Sequence, residues 1–453
     1  MSHFELKNPE FYKSAGRLML PVVIQQLISL GINFIDNIMI GGLGEDVIAG
    51  ASFSNQFYSL FQFICMGLGS GAIVLSSQFW GRKDMTSLGR SARMAMQVTL
   101  VLCAAFTVVS VAAPAFILGV YTNQPGVITA GTEYLRLLGI TFLFAGLSST
   151  ATYLLRSTGN VRVPLIGSTI AFFLNIFFNW VFIFGTLGAP KLGLVGAAIG
   201  TIIARAFEFI YVFGFFCFRE QNMRFRIYHF PLINSPLWGK YFKYALPVLI
   251  SDTLLGISLS ITSAVMGHVG SEISAAASIV NSVVQMLNVL SMGMAGAAAV
   301  MVGNTIGEDK IPLAKRQGNT FILITVLFGA AMIPVLMLIE GPYLGIYDVS
   351  DTTLAICHSI FICNCMFMPA QTLANVVSKG ILRGGGDTRF LLCADSLLVW
   401  VVSIPLGLLA ANVWGMTPFW IYFFLRIEFP LKGLMCFGRY LTGKWVKVIK
   451  AEE

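Results

Sequence analysis

Long apolar runs divide this chain from end to end, and each is about the length of a helix that crosses a bilayer, roughly 20 residues. Reading them between glycine, proline and charge breaks gives twelve, at about 15–40, 52–79, 93–118, 130–154, 164–186, 193–217, 244–267, 277–304, 318–339, 353–379, 388–411 and 415–438. Of the 453 residues 56% are hydrophobic and 11% charged, against roughly 25% charged in a soluble domain. So apolar a chain cannot hide its side chains in one aqueous fold. The period-two alternation of a membrane barrel is absent. The expected fold is an all-α polytopic membrane protein with twelve transmembrane helices. The first sixteen residues are polar and charged and no A-x-A site follows, so the first helix is expected to be retained.

The chain also repeats itself. LPVVIQQLISLGINFIDNIMIGGLG from Leu20 aligns with LPVLISDTLLGISLSITSAVMGHVG from Leu246, and an offset of 226 holds without a gap from Pro21/Pro247 to Gly81/Gly307. It pairs Gly41 with Gly267, Gly44 with Gly270, Asn55 with Asn281, and Met66-Gly67 with Met292-Gly293. A second match, LRSTGNVR (155–162) with LRGGGDTR (382–389), has an offset of 227. Residues 1–220 and 244–453 are therefore expected to be two six-helix bundles, joined by a charged cytoplasmic linker at 221–243. Six spans per half is an even number, so the repeats are parallel. Parallel repeats are an architecture of secondary transporters.

Charge sets the expected orientation. Nearly all of the 29 Lys and Arg lie in the termini and the even-numbered loops, for example Arg82, Lys83 and Arg90, Arg219, Arg224 and Arg226, and Lys310, Lys315 and Arg316. The odd-numbered loops hold only Lys191. Both termini are then cytoplasmic by the positive-inside rule, in a multi-pass protein of the cell membrane. The net charge of +8 is a topology signal, and basic residues scattered over short loops do not suit a nucleic-acid partner. All eight cysteines fall in expected helices, so no disulfide framework is implied. Cys363 and Cys365 face different ways on a helix and suggest no metal site.

Several motifs then converge: P-x(14)-D-x-x-M-x-G-x-L-G (Pro21, Asp36, Met39, Gly41, Leu43, Gly44), Q-x-x-G-x-x-D at the end of helix 2 (Gln78, Gly81, Asp84), LRGGGDTR at 382–389, and the equal halves. In these the chain resembles the multidrug and toxic compound extrusion (MATE) family over nearly its whole length. The resemblance implies two helical bundles around a cavity, and export of organic, often cationic, drugs against inward H⁺ or Na⁺. It also implies that an aspartate at the place of Asp36 binds the coupling cation or proton.

The polar residues inside the spans are read on their own terms as well. An acid at bilayer depth costs about 2.5–3.5 kcal/mol on insertion scales and usually faces a cavity or a partner. Asp36, Glu208, Asp252 and Asp395 stand out. Asp36 has Thr262 as its repeat mate, so the carboxylate is not needed to build the half. Asn175 and Asn179 are four apart and share a helix face. Their carboxamides suit a Na⁺ ion or a protonated carboxyl. Relatives with a defined cation site place an Asp at the second position, and Asn179 removes that charge. Thr201 on helix 6 adds a hydroxyl. Arg205 and Glu208 are i,i+3 on helix 6 and are expected to pair, as are Arg426 and Glu428 on the last helix. Asp252 and Asp395 are the second-half candidates for a further protonation site or a cation-attracting one. Prolines 21, 114, 247, 334, 369 and 405 are candidate kink sites.

A cation-coupled exporter is the leading expectation. Its runner-up is a flippase of a lipid-linked or anionic substrate from the same superfamily, disfavoured because no cluster of basic residues is evident deep in the spans. A membrane enzyme is the third reading, and no H-E-x-x-H, G-x-S-x-G, P-loop or His/acid cluster supports it. No ATPase module is present, so the drive is expected from an ion gradient, without a cofactor. The expected partners are small organic substrates, H⁺ or Na⁺ and the lipid bilayer. A two-halved transporter needs no oligomer, so a monomer is expected.

Overall fold

A computed structural model of the chain describes residues 4–223, 225, 235–347 and 349–450, apart from the side chain of Glu45. His3, Arg224, Arg226, His229, Pro231 and part of the 221–243 linker lie outside the described residues. The described chain is helical: α1 (Pro9–Ile40), α2 (Glu45–Gly81), α3 (Met85–Ala112), α4 (Pro114–Tyr121), α5 (Pro125–Ser157), α6 (Arg162–Phe184), α7 (Leu194–Phe218), α8 (Leu237–Val269), α9 (Ser271–Gly307) and α10 (Ile311–Leu344). Then follow α11 (Asp351–Leu382) and α12 (Thr388–Asn412), α13 (Pro418–Arg426) and α14 (Glu428–Leu441).

Among the described residues eleven helices are long and apolar enough to cross a membrane. The twelfth expected span is broken at Ile427 into α13 and α14. Pro430 explains the break: it has no N–H for the carbonyl of Arg426, and its ring crowds that carbonyl. Pro114 acts likewise and starts the separate short helix α4. α11 and α12 each carry a π-helical stretch, Val376–Leu382 and Leu397–Ser403. Such widened turns are rare and frequent at functional sites.

The helices form two compact units. One comprises residues 24–76 and 83–249; the other comprises 1–23, 77–82 and 250–450. α1 and α8 each pass from one unit to the other just after their internal prolines, Pro21 and Pro247, which are repeat mates. In the first unit Phe61, Cys65, Cys103 and Phe142 form a buried cluster, with the Phe61 and Phe142 rings stacked at 4.6 Å. In the second, Phe11 of α1 packs with Met294, Phe321 and Trp445. Large apolar side chains such as Phe116, Ile210 and Leu338 are about 70% exposed or more, as expected where the surrounding solvent is lipid.

The repeat is visible as a reciprocal contact inside the second unit. A side chain on Gly81 would strike the backbone of Asn304, and one on Gly307 would strike the backbone of Gln78. These are the same pair at the 226 offset, so the ends of α2 and α9 cross on two mutually facing glycines. The turns that follow also match: Lys83 and its mate Asp309 both adopt left-handed backbone, with φ of 60° and 59°.

Candidate functional site

The first unit holds a polar chain between α1, α6 and α7. Asn175 and Asn179 lie on the inner face of α6, almost fully buried. The Asn179 Nδ2 donates to Asp36 Oδ1 at 2.6 Å and lies 3.4 Å from Asn175 Oδ1, while Asn175 Nδ2 donates to Thr201 Oγ1 at 3.3 Å. The structure thus brings Asp36, Asn175, Asn179 and Thr201 into one hydrogen-bonded series. The carbonyl oxygen of Asn179 is buried with no hydrogen-bond partner among the described residues. Gly200 makes the room, since a side chain there would strike the Asn179 carboxamide. Arg205 and Glu208 form a 2.8 Å ion pair on α7, and the Arg205 charge acts on Asp36. That proximity could not be read from sequence.

The same unit also holds a polar cavity of about 150 Å³. Gln25, Gln26, Thr152, Arg156 and Ser168 line it together with Arg205 and Glu208. Arg156 donates to the Oε1 of Gln25 and lies over the Tyr153 ring at 5.2 Å.

The second unit holds a charged core, against the expectation of no basic cluster deep in the spans. Asp252 on α8 accepts both terminal nitrogens of Arg383 at 2.9 Å each. Asp395 on α12 accepts from Ser251 and pairs with Lys432 of α14. Lys379, in the π-helical stretch, lies close enough for Asp252 and Asp395 to act on its charge. Three basic residues therefore do cluster deep in this half. The expectation failed because Lys379 and Arg383 read as loop charges at the end of a span, whereas α11 continues past Lys379 to Leu382 and Arg383, directly after it, is buried. Asp252 and Asp395 each meet a cation of the chain itself. The expected Arg426–Glu428 pair is likewise corrected. No salt bridge joins them across the break at Ile427, and Arg426 instead donates to Asn281 at 2.8 Å and lies over the Tyr422 ring at 5.3 Å.

The remaining motifs do structural work. Gln78 donates to the carbonyls of Gly384 and Lys447 at 3.3 and 3.1 Å and accepts from the amide of Ile449 at 2.8 Å, tying the LRGGGDTR turn to the C-terminal tail. Asp84 caps α3 by accepting from the amide of Ser87 at 2.9 Å. Asp387 accepts from Arg439 at 2.7 Å.

Comparison with known proteins fits this doubled design. The MatE family model matches twice, over residues 21–181 and 247–409, so its two matches begin 226 residues apart like the repeat itself. The chain belongs to the MatE family. Members of this family are transporters, not enzymes. The MatE chain is 21% identical over 437 residues to the probable multidrug resistance protein YoeA of Bacillus subtilis (strain 168), covering 96% of this chain and 94% of that one. It is 25% identical to the probable multidrug resistance protein NorM of Geobacillus kaustophilus (strain HTA426), with 89% of each chain covered. A crystal structure of MATE in the bent conformation shares the fold at 16% identity, with a TM-score of 0.86 over 98% of this chain and 97% of that one.

Proposed function

We propose that this chain is a cation-coupled antiporter that exports organic compounds, often cationic drugs, across the cell membrane by rocking of its two six-helix halves, 1–220 and 244–453, with both termini and the 221–243 linker cytoplasmic. The curated relatives carry multidrug-resistance names, which supports the substrate class. The observation that carries the coupling role is the setting of Asp36. Its carboxylate is held by a neutral carboxamide donor, and the carbonyl of that same amide is a buried acceptor with no partner among the described residues. A protonated carboxyl or a bound Na⁺ supplies the donor or cation this arrangement lacks. H⁺ is favoured, because Na⁺ would meet only one carboxylate here. One charge moving inward gains about 2.3 kcal/mol per 100 mV, which raises a neutral drug roughly fifty-fold at one ion per drug. Asp36→Asn is therefore expected to abolish gradient-driven efflux of a fluorescent drug from cells while leaving expression intact. The measurement is drug accumulation with and without an ionophore. Normal efflux by the variant would make this carboxylate structural and send the search to Glu208 or the second half.

A further inference from the structure

The cavity beside Arg156 and the charged core of the other half occupy the same positions of the repeat. At the 226 offset, Gln25 and Gln26 correspond to Ser251 and Asp252; at the 227 offset, Thr152, Arg156 and Ser168 correspond to Lys379, Arg383 and Asp395. One contact is kept in both halves: Ser251 donates to Asp395, and Gln25 donates to Ser168 at 3.3 Å. The other is not. Arg383 is neutralised by the two oxygens of Asp252, whereas the matching position in the first half is the neutral Gln26. Arg156 has only the Gln25 carbonyl and the Tyr153 ring, and its Nε is buried with no hydrogen-bond partner among the described residues. The other guanidinium lining the cavity, Arg205, is matched by Glu208. The cavity walls thus carry two guanidiniums and one carboxylate, an excess of one positive charge.

We propose that this cavity is a subsite for organic substrates bearing a carboxylate, in which the ligand's carboxylate takes at Arg156 the place that Asp252 takes at Arg383. A guanidinium binds a carboxylate through two parallel hydrogen bonds, with geometric specificity that an amide partner does not match. About 150 Å³ is room for one benzene-sized group, so a carboxyphenyl group enters and a larger body stays outside. The substrate class rests on the exporter reading above; the subsite itself does not.

The test uses rhodamine 110, which has a free carboxyphenyl group, and rhodamine 123, its methyl ester. Fluorescence polarisation on the purified protein is expected to show tighter binding of the free acid by about tenfold, and sodium benzoate, but not benzamide, should displace it. Arg156→Gln should remove that preference without changing the affinity for the ester. Gln26→Asp keeps Arg156 but supplies internally the carboxylate found in the other half, and should remove the preference as well. Arg156→Lys keeps the charge but not the two parallel hydrogen bonds, so it should keep only part of the preference. Equal binding of acid and ester by the wild type, or equal loss of both in Arg156→Gln with the preference intact in Gln26→Asp, overturns the subsite. Proteoliposomes under an imposed gradient separate the two claims. If neither dye moves although the acid is still preferred in binding, the exporter reading falls and the subsite stands. If the ester is transported and no acid preference is found, the subsite falls and the exporter stands.

Discussion

Asn179 makes the clearest case at the scale of single residues. Its carboxamide spans Asp36 and Asn175, and its free carbonyl is packed where only a glycine at 200 leaves space. Gly200→Ala must therefore displace the amide or the helix. Forcing a methyl into such a place costs about 1–3 kcal/mol, which corresponds to a loss of roughly five-fold to over a hundred-fold if it falls on ion binding. Gradient-driven efflux is expected to drop by about fivefold or more in Gly200→Ala and to be unchanged in Gly214→Ala, which lies on the same helix with open space at its side-chain position. Equal activity of both variants would detach the carboxamide from coupling. The grouping of Asn175 and Asn179 was legible because four residues make one helical turn. The ion pair of Asp252 and Arg383 was not, because its partners are 131 residues apart and no local period links them. Nor was the role of Gly200, since a glycine in an apolar run signals a close approach without saying to what.

Among the helices, apolar length made most of the spans legible and their interruptions less so. α3 and α4 divide at a proline that the sequence displayed, and α13 and α14 divide because Pro430 sits one turn beyond the break. The π-helical stretches left no comparable mark. The internal prolines of α1 and α8 differ from the rest in where they fall, for Pro21 and Pro247 lie just before the points at which each helix changes unit, whereas Pro334 lies within α10, whose residues all belong to one unit. A proline removes a backbone hydrogen bond and lets a helix bend. If transport requires the units to move, these two places are the natural hinges, and restoring the missing bond should stiffen them. Pro21→Ala and Pro247→Ala are each expected to slow dye turnover in proteoliposomes by about tenfold while changing dye affinity less than two-fold. Pro334→Ala should do neither. A turnover loss equal in all three would mark general damage to helix packing and remove the hinge assignment.

At the scale of the whole molecule, the repeat explains why two halves with one topology came to carry different chemistry. The shared positions build the reciprocal crossing of Gly81 and Gly307 and the matched turns at Lys83 and Asp309. The divergent ones give one half a self-neutralised charged core and the other Asp36 with a positively lined cavity. The same parallel topology fixes an orientation test. The turns after α2 and α9 are equivalent and so are expected to face one compartment, and the Lys and Arg count there predicts the cytoplasm. Single cysteines at Gln124, in the loop before α5, and at Asn412, the last residue of α12, are both exposed and border connections of the opposite kind; they should react from outside intact cells with a membrane-impermeant maleimide. Those at Lys83 and Lys315 should react only after the cells are opened. The native cysteines are replaced first, because Cys393 is exposed. Reaction of Lys83→Cys and Lys315→Cys from outside would invert the protein, and with it the direction in which a gradient acting at Asp36 could drive a substrate.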